Sequence, residues 1–356
     1  MRSMTTSIAF VPDNFSMMNC KFGTQNDIRL TRLTRLTRFT RLFFIAVLAT
    51  TTQPLFAAAL APQPPVELTG THGKFDFIKV DEANRRLLAC HTGNGSLDVI
   101  DLATSRLLKS IPTGAAQGVA IDDKGGRYFV SVSKPPQLVI IDAAKLEATG
   151  TVSLPGPADV CAYSAALNRV VVDNDEKPEQ WWIDPDAKKI VKTVTYPGVG
   201  MEDLAFNDDG TVLVQNLKDS NSLAVFDPNK AAVVNQWPTA PADKPHGLAI
   251  FGHNEVFIAG GNGKLVLLDY QTGKVVTSTD IAPRVDEIAY DSDSGNVYCS
   301  SGTGVISAMT KGNIAEAIPS AQGAHSIAVD SKTHIVWIVF AKGDKAYVQS
   351  FFAGKN

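Results

Sequence analysis

Short runs of β-branched and aromatic residues, broken by polar turns, recur along most of the chain. Residues 127–132 (RYFVSV), 168–172 (NRVVV), 255–258 (EVFI) and 335–338 (IVWI) have strand length and strand composition. The stretches between them are rich in Asp, Gly, Asn and Lys, as in residues 123–126 (DKGG), 208–210 (DDG) and 271–273 (QTG). No long segment of this region keeps the 3.6-residue period of an amphipathic helix. The pattern predicts an all-β chain.

The runs fall into units. An inner strand of each unit ends at Asp81, Asp122, Ser164, Asn207, Phe251, Asp291 and Asp330, at intervals of 39 to 44 residues. A second mark follows 20 residues later at Asp101, Asp142, Asp184 and Asp227, and 18 later at Asp269. Units of this length with about four strands each are propeller blades. One blade cannot bury both of its faces, so neighbours must stack around an axis. The expected fold is a seven-bladed β-propeller of four-stranded antiparallel blades. The seventh unit runs out of chain before its outermost strand, and a spare strand precedes the first at Val66-Glu67-Leu68-Thr69. That N-terminal strand is expected to complete the last blade and lock the ring.

Residues 87–114 (LLACHTGNGSLDVIDLATSRLLKSIPTG), 222–234 (SLAVFDPNKAAVV) and 264–276 (KLVLLDYQTGKVV) resemble the YVTN family of propeller repeats, including its exported YncE-like group. The resemblance covers about the whole region after the N-terminal segment. It implies the propeller fold and an exported protein. It leaves the activity open, because the family includes binding proteins and enzymes, and some members have been linked to single-stranded DNA.

The N-terminal segment does not belong to the repeat. Arg29, Arg32, Arg35, Arg38 and Arg41 lead into an apolar stretch at residues 42–49, followed by small residues at 57–59 and 59–61. This is the pattern of a secretory signal peptide, with an apolar core too short for a membrane span. Residues 1–61 are read as the signal peptide, with Met17 or Met18 as alternative starts, and 62–356 as one domain. The expected location is periplasmic or secreted. Seven of the 33 basic and two of the 36 acidic side chains lie in residues 1–59, so the remainder carries 26 against 34, a net charge of about −8. Such a domain is a poor general binder of phosphate backbones, which argues against nucleic acid as the partner. Cys90, Cys161 and Cys299 fall on three non-adjacent blades and read as buried fillers rather than a disulfide framework.

Propeller geometry singles out one set of positions. Five residues before each inner mark stand Asp76, Gln117, Asp159, Glu202, His246, Asp286 and His325, all polar. The fold would place them around one mouth of the central channel. Channel mouths are wet, and such residues can serve only as hydrogen-bond partners for nearby loops. The sharper reading is a site. His246, Asp286, His325 and Asp76 lie on four consecutive blades and could hold a divalent metal: zinc, iron or manganese by their imidazoles, calcium if carboxylates and carbonyls dominate. Glu202 is the candidate general base. Loops on the same face carry His91, Lys134, Asn174, Asp175, Glu176, Lys177, Lys218, Lys342 and Lys345, of which His91 and Lys218 follow strands closest to the channel. Arg284, two residues before Asp286, could meet an anionic ligand.

No Gly-x-Ser-x-Gly elbow, phosphate-binding glycine loop or Cys-x-x-Cys motif is present. Two function classes remain. The first is a monomeric exported propeller that binds a small molecule or an envelope protein or peptide through its upper face. The second is a metal-assisted, lactonase-like hydrolase or lyase with its site in the channel.

Overall fold

A computed structural model describes residues 60–309 and 316–353 of the chain. They form seven antiparallel sheets. The single helical element among them is a 3₁₀ turn at Lys218–Ser220. The innermost strands of blades 1 to 7 are Ile78–Asp81, Ala116–Asp122, Ala158–Ser164, Met201–Phe206, Pro245–Phe251, Val285–Asp291 and Ser326–Asp330. Each packs beside the next, and the seventh beside the first, so the ring is closed.

Turn chemistry sets the strand lengths. The polar inner marks cap the first turn of their blades, as where Asp122 Oδ1 accepts from the Gly125 N–H at 2.9 Å and Asn207 Oδ1 from the Val212 N–H at 2.9 Å, while the blade 5 mark, Phe251, packs its ring against Phe257 and Tyr290. The outer marks cap the third turn: Asp101 Oδ1 accepts from the Thr104 N–H, and Asp142, Asp184, Asp227 and Asp269 repeat the contact with their own turns. An aspartate at the end of a strand thus satisfies the amides of the turn that follows.

Burial follows the blade interfaces. Seven apolar clusters fill them, one between each adjacent pair. Trp181 and Trp182 point to opposite faces of blade 3, as alternation along a strand requires. Trp181 packs among Phe129 and Leu138 of blade 2, and Trp182 against Phe226 of blade 4. Trp337 closes the interface of blade 7 with blade 1, beside Leu87 and Ile100. Cys90, Cys161 and Cys299 are buried and unpaired, as fillers should be.

The last blade is completed from the N-terminus, with a strand longer than the sequence suggested. Leu60–Pro62 pairs with Ala353, Phe352 and Phe351, and Val66–Glu67 pairs with Val348 and Tyr347. The Gln63 N–H donates to the Ser350 carbonyl and the Leu68 N–H to that of Ala346, bridging the two pieces. Leu60 and Ala61 therefore sit in the blade, although the sequence pattern places them at the end of the leader. The rest of the leader segment lies outside the described residues. No described helix is long and apolar enough to cross a membrane.

Candidate functional site

The ring residues owe their placement to a repeated irregularity. In blades 2 to 6 the pairing of the inner strand with its neighbour slips by one residue, within 116–118, 158–161, 201–204, 245–248 and 285–288. Gln117, Asp159, Glu202, His246 and Asp286 each fall inside that slip. A bulge puts two residues opposite one and re-aims a side chain out of the regular alternation. It also removes ladder partners, so the freed backbone groups need others. Gln215 Nε2 donates to the Glu202 carbonyl at 2.7 Å, and Asn216 Nδ2 to the His246 carbonyl at 2.6 Å. Ser131 and Ser326 hydroxyls do the same for Asp159 and Asp76. The carbonyls of Gln117 and His325 accept from the backbone N–H groups of Phe77 and Glu287 in adjoining blades. One residue further along, Asp203 accepts from the Leu248 N–H at 3.0 Å and Glu287 from the Ile327 N–H at 3.1 Å. Each of these carboxylates ties its blade to the next.

Five functional groups then form a connected arc across blades 4 to 7. Lys218, on the 3₁₀ turn after strand Leu213–Leu217, bonds Glu202 Oε1. Glu202 Oε2 lies 3.4 Å from His246 Nδ1, which lies 3.2 Å from Asp286 Oδ1. Asp286 Oδ2 is 2.7 Å from His325 Nδ1. The Nδ1 atoms of both imidazoles are buried and make no hydrogen bond of acceptable angle to these oxygens. Ligand-type atoms of Glu202, His246 and Asp286 all lie within 4.8 Å of one another, close enough for one ion. This set differs from the one drawn from blade order. His325 stands behind Asp286, and Asp76 is turned the other way. With the Gln117 amide oriented to suit its surroundings, its nitrogen donates to Asp76 Oδ2 at 2.8 Å. Asp159 makes no side-chain hydrogen bond among the described residues.

The charges are strongly coupled. Burial disfavours an ionised Asp286, yet His246 and His325 outweigh it and hold the carboxyl well below the usual range. Burial likewise disfavours a charged His246, but the carboxylates of Asp286 and Glu202 lift it to about 9. His325 is raised mainly by Asp286. Asp76 goes the opposite way: burial, with the nearby charge of Asp286, pushes it up to about 7. Burial, then Asp76 and Glu202, push Asp159 well above its usual value. At neutral pH the arc alternates anions and cations, an arrangement in which a metal ion could take the place of imidazole protons.

Beside the arc is a cavity of about 390 Å³ lined by His246, Asp286, His325, Lys244, Arg284, Val285 and the glycines 261, 302 and 323. Arg284 is thus brought to the site. His91 is not. It is fully buried, stacked on Phe75 at 3.8 Å between ring centres. Its Nδ1 is 2.7 Å from Asp98 Oδ2 and its Nε2 3.1 Å from the Gly73 carbonyl. Ser96 and Ser110 hydroxyls donate to the other Asp98 oxygen. The sequence signal for this was Asp98 itself, a charged residue in the middle of an apolar strand. Other neighbours that a reading by spacing did not reach are Gln215 and Asn216, which hold the bulges, and Lys244. Among the remaining loop residues, Lys345 pairs with Glu67 at 2.8 Å in the closing blade, and Asn174 is buried and caps the Glu176 N–H.

No family model and no curated protein matches the sequence. Among solved structures, the chain is similar to hydrazine synthase of Kuenenia stuttgartiensis, with a TM-score of 0.68 and 12% identity, over 80% of this chain and 98% of that one. At that identity the likeness carries the propeller fold and nothing of the chemistry.

Proposed function

We infer that this chain is an exported propeller of the YVTN-repeat kind that captures a small ligand at the upper channel mouth through a divalent-cation centre. Glu202, His246 and Asp286 would hold the ion, with His325 fixing Asp286 from behind. The observation that carries this reading is the convergence of three ligand atoms from three blades within 4.8 Å. One imidazole and two carboxylates suit zinc, manganese or iron(II) better than an all-oxygen ion. Export is supported by the basic and apolar leader pattern and by a domain whose first strand begins directly after residues 57–59 (AAA).

Glu202 has Oε1 on Lys218 and Oε2 facing His246, so it is better placed as a ligand than as a free general base. Binding is therefore preferred to a metal-assisted hydrolase or lyase. The test is metal content and calorimetric titration of protein comprising residues 60–356 after treatment with a chelator. One equivalent of zinc or manganese is expected, lost in His246→Ala and Asp286→Asn and only weakened in His325→Ala. Absence of stoichiometric uptake, together with no thermal shift on adding any of these ions, overturns the reading.

A further inference from the structure

We propose that the cavity between blades 5, 6 and 7 is a carboxylate-recognition subsite, in which Lys244 and Arg284 hold the anionic group of a small organic acid. The argument starts from the backbone. In blades 4, 5 and 6 the residue two places before the ring position has left-handed geometry: Gly200 at φ 71°, Lys244 at φ 50° and Arg284 at φ 60°. The three positions are equivalent. Each carbonyl accepts the backbone N–H of the residue just past the second strand of its blade, from Lys218 at 2.6 Å, Gly261 at 3.1 Å and Gly302 at 3.2 Å.

Glycine is the easy residue for this conformation, and other residues adopt it at a cost. Blade 4 uses glycine there and places its cation, Lys218, at the partner position. Blades 5 and 6 do the reverse. They carry lysine and arginine in the strained position and glycine at the partner position. The outcome is one cation per blade, each joined to a glycine by that backbone contact, and in blades 5 and 6 the glycine lies at ordinary contact distance from the cationic residue. A Cβ at residue 302 would lie 3.9 Å from Arg284 Nη2, and one at 261 would lie 3.7 Å from Lys244 Cβ. Eight other described non-glycine residues share this backbone geometry, among them Arg85, Leu146 and His334, so what sets Lys244 and Arg284 apart is their place on the cavity wall.

The three cations differ in what they face. Lys218 is spent on Glu202. Lys244 and Arg284 are exposed, and the ammonium and guanidinium make no hydrogen bond or ion pair among the described residues. Both line the same cavity as His246, Asp286 and His325. Its volume, about 390 Å³, is at the lower end of small-molecule pockets. An arginine fork and an ammonium at the rim match a carboxylate. The far end of such a ligand would face the Glu202, His246 and Asp286 centre, and only this second contact rests on the metal reading. A carboxylate with a hydroxyl or keto group nearby fits both ends.

The experiment is calorimetric titration of residues 60–356 with acetate, lactate, malate, glutarate and citrate, and with malamide as the uncharged control. Wild type, Arg284→Gly, Lys244→Gly and the double variant are compared, each with and without zinc. Glycine suits the left-handed backbone, so these variants should melt no lower than wild type, which separates lost binding from lost folding. The expected result is saturable binding of at least one acid but not malamide, weakened by about tenfold in each single variant and further in the double one. Acid binding that persists without zinc and still depends on Arg284 would support the subsite while counting against the metal centre. Zinc uptake with no acid bound, or acid binding unchanged in the double variant, overturns the subsite and leaves the metal centre standing.

Discussion

Asp173 shows how one buried group can dominate behaviour without touching a ligand. It lies in the interface of blades 3 and 4, where Gln180 Nε2 donates to its Oδ1 at 2.9 Å and to Gln215 Oε1 at 3.1 Å. Trp182 and Tyr196 donate to the other end of the Gln180 amide, and Gln215 in turn holds the Glu202 carbonyl. Asp173 Oδ2 has no partner. Burial lifts its pKa from 3.8 to about 8 against the amide contacts, with the charges of Asp203 and Glu202 adding to the rise. A folded pKa above the unfolded one gives stability that is complete below about pH 4 and fades as pH rises through about 8. Asp173→Asn cannot ionise. Its urea midpoint should fall less than that of wild type between pH 5 and pH 8, the remaining slope coming from Asp203 and Asp76, each raised to about 7 mainly by burial, and from Asp159 and Glu287, which burial also raises. An equal slope in both proteins would refute this. His91 makes a second case at the same scale. Its imidazole sits against Asp98 with neither side chain exposed, so His91→Ala leaves the buried Asp98 side chain with two hydroxyls and no imidazole partner. That should cost about 3–5 kcal/mol in denaturant unfolding and leave ligand capture at the mouth intact. A loop residue serving the ligand would show the opposite.

At the scale of the strand, the bulge is the device that turns a sheet edge into a site. Its tolerances are narrow. A Cβ on Gly247 would lie 2.7 Å from the Asp286 carbonyl oxygen and 2.8 Å from the Ile288 nitrogen, both backbone atoms. Gly247→Ala must therefore push the blade 6 bulge away from blade 5 and widen the gap between His246 and Asp286. We expect a loss of about 1–3 kcal/mol in stability and a fall in zinc affinity larger than in the control Gly252→Ala, which strains a left-handed backbone at φ 61° but meets no atom within 4 Å of the added carbon. The same element explains what the sequence could and could not reveal. Strand ends were legible because Asp81, Asp122 and Asp101 cap turns, which is local chemistry with a fixed offset. Ring membership followed from counting back from those ends. The metal-capable set did not, because blade order says which residues are neighbours but not which way a bulge aims them. Asp76 and His325 are adjacent in the ring, yet Asp76 faces Gln117. His91 was misplaced for a related reason. The register that sets Ala89 opposite Asp98 and His91 opposite Ser96 belongs to the hairpin, and no spacing rule marks a histidine as facing inward.

For the whole molecule the decisive feature is that the ring is fastened by its own beginning. Each of the other six blades is a continuous stretch of chain, while the seventh joins residues 60–67 to residues 326–353. Leu60 is 4% exposed and sits in the cluster of blades 6 and 7 with Phe340 and Phe351. Val66 packs against the cluster shared by blades 7 and 1. Burying a leucine contributes roughly 1.5–3 kcal/mol, and removal of the strand also strips the last one of its partners. A chain starting at Leu68 should therefore melt lower than one starting at Leu60, with the earliest loss of amide protection in the strand Lys345–Ala353. The closing strand also constrains where the proposed leader could be cut. If a leader is removed, cleavage after Ala61 would delete the first two residues of the strand, whereas cleavage after Ala59 would leave Leu60 as the first residue, with the strand whole. If the proposed export occurs, N-terminal sequencing of the processed chain should read Leu-Ala-Pro. A processed chain beginning at Pro62 would mean that the Leu60 contact contributes nothing to closure, and chains starting at residues 60 and 62 would then melt together.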